Sequence, residues 1–253
     1  MPEGDTIHRL ARRMRAALEG QEIGRAETPD PRSPIHGRAG DLEGRTLESV
    51  EARGKHLLVH FSDGVALHSH LGINGRWRVA ADGRAPFGRP WLLLASGRGI
   101  AAQFGGKILR LVSESRIRND PGLMQLGPDP LAKGFDPDEA ACRLLAAGGE
   151  REVGDALLDQ RVIAGIGNAI RNEALFAAGI DPWRRIADLE PEEAADLIRA
   201  NQRVMQISIR KGRRPHNVYR ANRRRCPNCG GRISVRGQGD GNRAAYWCER
   251  CQS

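Results

Sequence analysis

The first residues of the chain, MPEGDT, place a secondary amine and a carboxylate at adjacent positions. Because proline is small, Met1 can be removed in the usual way, and the nitrogen of Pro2 then becomes a free α-amine. The pKa of such an amine is about 8, against about 10.4 for lysine, so a fraction of the amine is neutral and nucleophilic at pH 7. It forms an iminium with an aldehyde-level carbon, and Glu3 could supply the acid or base for that step. The residues alone leave a second interpretation open, in which Pro2 only permits removal of Met1 and Glu3 only begins a helix.

Four of the five cysteines form two close pairs near the end of the sequence. Two residues lie between Cys226 and Cys229, and Cys248 and Cys251 repeat this spacing after eighteen residues. Four thiolates in this pattern predict one tetrahedral zinc ion, which is structural because no ligand position stays open. The alternative is two disulfides or unrelated cysteines. The segment GQGDGNR between the pairs predicts the turn of a two-stranded zinc ribbon, with Arg243 at a tip where it could bind phosphate.

A glycine-containing turn, AGIG, separates two predicted helical stretches and is followed by Asn168. Backbone N–H groups at the start of a helix, together with the positive end of its dipole, favour an anion. Asn168 could cap this helix or bind phosphate itself. Helices joined by glycine turns are common, so this pattern alone does not establish DNA binding.

The charge of the chain is concentrated at one end. The 253 residues allow two modest cores and carry a formal charge of +9. The stretch 203–253 contains thirteen basic and two acidic residues, which suggests a polyanionic partner, or otherwise a solubilising tail. No apolar run fits a secretory signal or a membrane span, and the paired cysteines indicate a reducing cytoplasm.

Helical and strand patterns divide the chain. Apolar residues from Ile7 to Leu18 recur at helical spacing, with Asp5 or Thr6 as the expected cap and Gly20 as the expected end. From about residue 45 to 104 the sequence predicts strands: KHLLVHF and VALHSHL flank the turn SDG, and RWRV and PWLLLA follow. This half is therefore a helix attached to a mostly antiparallel β unit.

The second half is predicted to be helical until its cysteine-paired end. The Pro- and Gly-rich stretch 113–137 reads as a connection. Helices are predicted at EAACRLLAA, VGDALLDQRVIAG, NAIRNEALFAAG and PEEAADLIRANQRVMQISI, and Cys142 is expected in their core. The predicted domains are a β-rich domain over 1–112, the connection 113–137, a helical domain over 138–218 and the ribbon over 219–253.

Five motifs occur in a fixed order: MPEGDT, RGKHLL, HSHLGINGRWRV, LLDQRVIAGIGNAIRNEALFAAGI and YWCERCQ. In this order they resemble the formamidopyrimidine-DNA glycosylase / endonuclease VIII family of bifunctional DNA glycosylases over essentially the whole chain. The MPEGDT start is most similar to the endonuclease VIII branch of actinobacterial type. The resemblance implies an α+β fold of two domains. These are an N-terminal antiparallel β-sandwich with flanking helices and a C-terminal helix–two-turns–helix domain with a zinc ribbon, with DNA in the cleft between them.

The resemblance also implies roles for individual residues. Pro2 would attack C1′ of a damaged nucleotide, Glu3 would protonate the sugar ring oxygen, and Lys55 would contact phosphate and assist loss of the base. Phosphate binding would fall to Asn168 and Arg243. The remaining predicted DNA-binding residues are His70 at a phosphate, Ile73 as the wedge that replaces the extruded base, and Glu173 in the helix–two-turns–helix motif.

The implied activity is excision of oxidised bases, with pyrimidines preferred, and strand cleavage by β,δ-elimination. The expected partner is damaged double-stranded DNA, bound by a monomer in the cytoplasm, at the nucleoid. Two departures from the family pattern make the assignment of the substrate less definite. Ile170 replaces a tyrosine that often follows GxGN, and Arg220 replaces the glycine of VYGR. The alternatives are the same chemistry on oxidised purines, and a non-catalytic zinc-ribbon DNA-binding protein, which would not need Pro2 and Glu3.

Overall fold

The computed structural model of the chain describes residues 1–81 and 87–253. These residues form two compact units, the first made of residues 1–2 and 6–125 and the second of residues 3–5 and 126–253. Helix α1 (Gly4–Leu18) therefore begins with residues that belong to the second unit and continues in the first. No helix within the described ranges is long and apolar enough to cross a bilayer.

Antiparallel strands make up most of the first unit. In chain order they are β1 (Gln21–Glu22), β2 (Arg25–Glu27), β3 (Thr46–Arg53), β4 (His56–Phe61), β5 (Val65–His70), β6 (Arg76–Ala80), β7 (Leu92–Ala95), β8 (Ile100–Phe104) and β9 (Ile108–Ser113). One sheet has the order β1-β3-β4-β5-β9, and the other has the order β2-β7-β8-β6. Two short helices, α2 (Glu114–Arg118) and α3 (Pro121–Met124), follow the last strand.

Both sheets and α1 share one apolar core. Leu57 and Val59 of β4 contribute to it from the five-stranded sheet, and Leu92 and Leu94 of β7 from the four-stranded sheet. Because strand residues alternate between faces, these positions share an inward face and their neighbours point away from it. The apolar stripe of α1 fills the remaining side of this core, as its periodicity predicts.

Helices form the second unit up to a terminal hairpin. They are α4 (Pro137–Leu145), α5 (Val153–Ala156), α6 (Asn168–Ala178) and α7 (Pro191–Lys211), and the hairpin strands are β10 (Ser234–Gln238) and β11 (Arg243–Trp247). α7 begins with a capping box between Glu190 and Glu193 and ends at Lys211, and the residue that caps it is Gly212, whose φ of 71° suits glycine. Apolar residues of α4, α6 and α7 form the core of this unit.

The predicted fold class is confirmed, while three local predictions are wrong. The predicted helix over 153–165 ends at Ala156, because Asp159 turns the chain by accepting from the N–H of Arg161. α1 begins at Gly4, so Asp5 lies inside the helix and neither it nor Thr6 is the cap. Cys142 is exposed on α4 and does not belong to the core.

Candidate functional site

The N-terminal residues are held in place, which is unusual for a chain terminus. Pro2 is half-buried, and Glu3 and Asp5 are only 1% and 0% exposed. The N–H of Gly4 donates to the carbonyl of Gly165 over 2.9 Å. A Cβ atom on Gly4 would lie 2.8 Å from the Cα of Gly165, so only glycine permits this approach.

Asp5 anchors the same segment by charge. Its carboxylate accepts from the hydroxyl of Ser208 on α7 and from Nε of Arg214, the latter over 2.8 Å. Nη2 of Arg214 also lies 3.9 Å from an oxygen of Glu3. A buried carboxylate is stable only when it is paired in this way, so Asp5 fixes the start of the chain to the end of α7.

Glu3 lies at the N-terminus of α6. One carboxylate oxygen accepts from the N–H of Ala169 over 2.9 Å, and the other accepts from the N–H of Ile170 over 3.0 Å. A Cβ on Gly167 would lie 2.4 Å from Cδ of Glu3, so the second glycine of AGIG makes room for this side chain. Both oxygens of the Glu3 carboxylate are therefore oriented by backbone donors of α6.

This geometry corrects the interpretation of the AGIG turn. The turn does form an anion site, but the N–H groups of Ala169 and Ile170 are taken by Glu3 and are not available to phosphate. Asn168 does not cap the helix with its side chain, because Gly167 is the N-cap and Asn168 is the first helical residue. Its Nδ2 donates to the carbonyl of Ala244 over 2.9 Å.

Two further residues of α6 fasten the helix to β11, and the sequence reasoning did not identify them. The buried guanidinium of Arg171 donates to Oε1 of Gln238 over 2.9 Å and to the carbonyl of Ala244 over 3.2 Å. Burial lowers the pKa of Arg171 to about 10. Oδ1 of Asn172 accepts from the N–H of Tyr246 over 2.6 Å. The sequence feature that could have identified Arg171 and Asn172 is the run of polar residues inside the otherwise apolar segment NAIRNEALF.

Glu173 is 1% exposed and binds a second chain segment. Its carboxylate accepts from the N–H groups of Asn217, Val218 and Tyr219 at 2.8–3.1 Å, and from the side-chain amide of Asn217. Within the second unit, this carboxylate therefore holds the residues that precede the cysteine-paired hairpin.

The four paired cysteines converge as predicted. Their sulfur atoms all lie within 4.8 Å of one another, with 3.8 Å between Cys226 and Cys251 and 3.5 Å between Cys229 and Cys248. A tetrahedral ion with metal–sulfur bonds of about 2.3 Å would require sulfur atoms about 3.8 Å apart. The cluster therefore fits a bound metal ion. The hairpin prediction is also confirmed, since β10 and β11 flank the turn 239–242 and exposed Arg243 is the first residue of β11.

In the first unit, Lys55 and His70 lie at the same end of neighbouring strands. Gly54 and Lys55 form the turn between β3 and β4, and His70 ends β5. Nδ1 of His70 accepts from the N–H of Gly72 over 3.1 Å. Burial, followed by the charges of Lys107 and Lys55, lowers the pKa of His70, so its imidazole is held neutral.

Ile73 is the exposed apolar residue of the turn that follows β5. Its side chain is 64% exposed, and this turn is closed by a hydrogen bond from the N–H of Gly75 to the carbonyl of Leu71. Most of the surface of Ile73 is therefore accessible to solvent.

The two departures from the family pattern have distinct structural consequences. Ile170 is fully buried in the core of the second unit, so its side chain faces the protein interior. Arg220 has a φ of 57°, the left-handed conformation that glycine adopts without strain. Its guanidinium lies 5.5 Å from the centre of the Tyr219 ring. Arg220 therefore takes the glycine conformation in spite of its side chain.

Two family models match the chain: the formamidopyrimidine-DNA glycosylase N-terminal domain over residues 1–105 and the formamidopyrimidine-DNA glycosylase H2TH domain over residues 126–219. A probable endonuclease 8 2 of Streptomyces coelicolor is 35% identical, over 100% of this chain and 94% of its own. A DNA-(apurinic or apyrimidinic site) lyase Nei2 of Mycolicibacterium smegmatis is 36% identical over 100% and 99%, respectively.

Solved structures show the same fold at lower identity. The complex between Lactococcus lactis Fpg and abasic-site DNA aligns with a TM-score of 0.84 and 23% identity, over 99% of both chains. A complex of the same Lactococcus protein with DNA containing an oxidised pyrimidine aligns with a TM-score of 0.85 and 23% identity.

Proposed function

Because the chain belongs to the formamidopyrimidine-DNA glycosylase / endonuclease VIII family, we propose that it is a bifunctional DNA glycosylase and abasic-site lyase. It excises an oxidised base and then cleaves the strand at the abasic site. The relative named as a DNA-(apurinic or apyrimidinic site) lyase supports the second activity.

The observation that carries this proposal is the anchored N-terminus. Glu3 and Asp5 are buried, and the backbone N–H of Gly4 donates a hydrogen bond to Gly165. The residue before them, Pro2, is therefore held at a defined position. A binding protein has no need to order the first residues of its chain. A nucleophilic amine at Pro2 does have this need, because the reacting atoms must be held about 3–3.5 Å apart in a fixed orientation.

The reaction begins once Met1 has been removed. The nitrogen of Pro2 attacks C1′ of the damaged nucleotide, and the bond from C1′ to the base breaks. The base leaves with the proton that the Pro2 nitrogen gives up, and an iminium links Pro2 to the sugar once its ring has opened. Glu3 donates the proton that the ring oxygen takes up as the ring opens. Loss of a C2′ proton expels the 3′ phosphate, a second elimination expels the 5′ phosphate, and hydrolysis frees Pro2. These steps need no external oxidant or reductant.

DNA binding is assigned to residues of both units. Lys55 and His70 contact phosphate, with Lys55 also assisting base loss, and Ile73 enters the space left by the extruded base. Asn168 and Arg243 bind the phosphates that flank the flipped nucleotide. Glu173 acts on DNA indirectly, since its carboxylate is saturated by the backbone of residues 217–219.

The four cysteines bind one structural zinc ion. The spacing of the sulfur atoms supports this, and four thiolates leave no site for substrate on the metal. Through β10 and β11 the ion would support the position of Arg243. The protein acts on damaged double-stranded DNA as a monomer in the cytoplasm, at the nucleoid.

Oxidised pyrimidines are the proposed preferred lesions. The relatives named endonuclease 8 and the MPEGDT start support this choice, whereas a 37% identical relative named formamidopyrimidine-DNA glycosylase supports the alternative of oxidised purines. Single-turnover rates on thymine glycol and on 8-oxoguanine opposite cytosine separate the two. Faster cleavage of the 8-oxoguanine duplex would favour the purine alternative.

Borohydride trapping tests the activity itself. With abasic DNA, the protein is expected to form a covalent adduct that mass spectrometry maps to Pro2. A variant that retains Met1 behind an uncleaved N-terminal tag is the matched control, and it is expected to trap no DNA. Equal trapping by the tagged protein would exclude Pro2 as the nucleophile. DNA binding without any trapping by the native protein would favour the non-catalytic alternative.

A further inference from the structure

The five-stranded sheet has an unusual row of histidines on the face opposite its apolar core. In the register of β4, β5 and β9, His56 lies opposite His70, and His68 lies opposite Arg110. Directly opposed residues project from the same face, so these four side chains share one side of the sheet. His68 is only 1% exposed. Since burial of polar side chains costs free energy, this row requires an explanation beyond packing.

A chain of hydrogen bonds connects these side chains. Asp120 pairs with Arg110, and Nε and Nη2 of Arg110 lie 3.1 and 2.9 Å from Nδ1 of His68. Nε2 of His68 lies 2.8 Å from Nδ1 of His56. The chain therefore runs from a carboxylate through a guanidinium and two imidazoles to the ring of His56.

The order of donors along this chain fixes the tautomers. A guanidinium has only donors, so Nδ1 of His68 must accept, and the proton of neutral His68 is then on Nε2. Nε2 of His68 donates to Nδ1 of His56, which places the proton of His56 on its own Nε2. Burial lowers the pKa of His68 to about 4 and that of His56 to about 3, in agreement with two neutral rings.

The outward N–H of His56 is left for a ligand. No described residue accepts from Nε2 of His56, and this atom is not among the buried side-chain atoms without a partner, so solvent reaches it. The ring of His70 lies 4.7 Å away between centroids and also carries its proton on Nε2, because its Nδ1 accepts from Gly72. Two neutral N–H donors thus lie side by side at the strand ends that also carry Lys55.

We propose that His56 is a further DNA-contacting residue that donates its Nε2–H to a backbone phosphate beside His70, and that Asp120, Arg110 and His68 are positioning residues that fix its tautomer. This inference rests on the proposed function. Lysine charge attracts a phosphate to this site, and a neutral imidazole adds a directed donor without further repulsion between cations. The alternative is that His56 only packs against His70.

Imidazole NMR tests the tautomer independently of any activity. In the ¹⁵N-labelled free protein at pH 7, His56 and His68 are expected to show the Nε2–H pattern. Arg110→Met is expected to convert both rings to tautomer mixtures, and Arg110→Gln, which keeps a donor, is expected to restore the pattern. A Nδ1–H tautomer at His56, or a pattern unchanged in Arg110→Met, would overturn the positioning role.

Binding to DNA with a tetrahydrofuran abasic analogue tests the contact. His56→Phe keeps a ring without a donor and is expected to weaken binding about tenfold, whereas His56→Gln keeps a donor at the same reach and is expected to recover most of it. The matched control is His60→Phe on the same face of β4, whose ring pairs with Glu114 and Glu51, and it is expected to leave binding unchanged.

Single methylphosphonate substitutions complete the test. One neutralised phosphate is expected to weaken binding to the wild type and to have no additional effect on His56→Phe, because the partner of that phosphate is already lost. Full additivity at every phosphate, or unchanged binding by His56→Phe, would overturn the inference while borohydride trapping still succeeds. Failure of trapping in the wild type would instead count against the proposed function.

Discussion

Helix α6 in the second unit and the histidine row in the first unit both bury polar side chains, but their hydrogen bonds end differently. Around α6, the hydrogen bonds of the Glu3 and Glu173 carboxylates and of the Arg171 guanidinium end mostly on backbone N–H and C=O groups. In the histidine row, the last group is an imidazole N–H that reaches solvent. The first network is closed on groups of the protein itself, except at Nε of Arg171, which is buried without a partner among the described residues. The second network is open at one end.

This difference indicates what each network is for. The closed network joins three segments that are distant in the sequence to one helix: residues 3–5, residues 217–219 and strand β11. Charges that are satisfied by backbone groups fix the chain path, and among these groups only Glu3 is also assigned a step with the substrate. The open network also buries polar side chains at a cost in free energy, but it keeps one donor, the Nε2–H of His56, that a ligand can use.

The largest expected effect follows from removal of one cysteine. Cys248→Ser is expected to lose the metal and to disorder the hairpin, because structural zinc contributes on the order of 10 kcal/mol to such small modules. Purified wild type is expected to contain one zinc per chain by metal analysis. The matched control is Cys142→Ser, which alters an exposed cysteine outside the cluster and is expected to keep the metal.

The comparison adds a second readout to that experiment. Loss of the hairpin removes the partners of Arg171 and Asn172 on β11, whereas the hydrogen bonds given for His56 and His68 join residues of the first unit. The imidazole signals of His56 and His68 are therefore expected to stay unchanged in Cys248→Ser. Zinc-free wild type would contradict the metal assignment, and disturbed histidine signals would show that the two networks are coupled.

Glu3→Gln is expected to have the next largest effect. A carboxylic acid that protonates the sugar contributes about 10²–10⁴-fold, so excision of a base lesion is expected to fall by that factor. Cleavage of a pre-formed abasic site is expected to persist in measurable part, because its C1′ is already electrophilic. Gel assays on both substrates, with DNA binding measured separately, give the comparison.

Asp5→Asn distinguishes catalysis from anchoring at the same terminus. Asp5 holds the chain through Ser208 and Arg214, whereas the N–H donors of Ala169 and Ile170 on α6 bind Glu3. Its substitution is expected to lower both activities equally, since it displaces Pro2 without removing an acid. Equal losses on both substrates in Glu3→Gln as well would mean that Glu3 serves only to position Pro2.

Glu173→Gln tests the closed network without removing a candidate catalytic group. One oxygen is replaced by an NH2 group that cannot accept. In place of Oε1 this group removes the acceptor of the Val218 and Tyr219 N–H groups, and in place of Oε2 it removes the acceptor of the Asn217 side-chain amide. The expected cost is about 1–3 kcal/mol of unfolding free energy, measured by denaturant titration. Exposed Glu249, which accepts from Ser234, provides the control Glu249→Gln, for which less than about 1 kcal/mol is expected.

The sequence predicted the elements whose signal is local. The stripe of α1, the hairpin of β4 and β5 and the cysteine cluster all depend on periodicity or spacing, and the structure contains them. It did not predict that Glu3 fills the anion site of the AGIG turn, because that contact joins residues more than 160 positions apart. The roles of Arg171 and the histidine row were also missed, since each depends on which distant strand lies opposite.

The smallest expected effect concerns the turn next to the closed network. Glu173 fixes the N–H groups of residues 217–219, and the following residue, Arg220, is held at a φ of 57°. A non-glycine residue in this conformation destabilises the folded protein by about 1–2 kcal/mol, and glycine would remove this strain. Glycine also increases the entropy of the unfolded chain, which offsets part of the gain in stability. Arg220→Gly is therefore expected to raise the unfolding free energy by about 0.5–1 kcal/mol.

Arg224, which does not have a positive φ, provides the control: Arg224→Gly is expected to have no stabilising effect. If the closed network imposes the strain, the gain from Arg220→Gly should shrink in the Glu173→Gln background, where the turn can relax. A double-mutant cycle of unfolding free energies measures this coupling. Strictly additive effects would show that the left-handed conformation of Arg220 is set by the turn itself, and that the network around α6 ends at Tyr219.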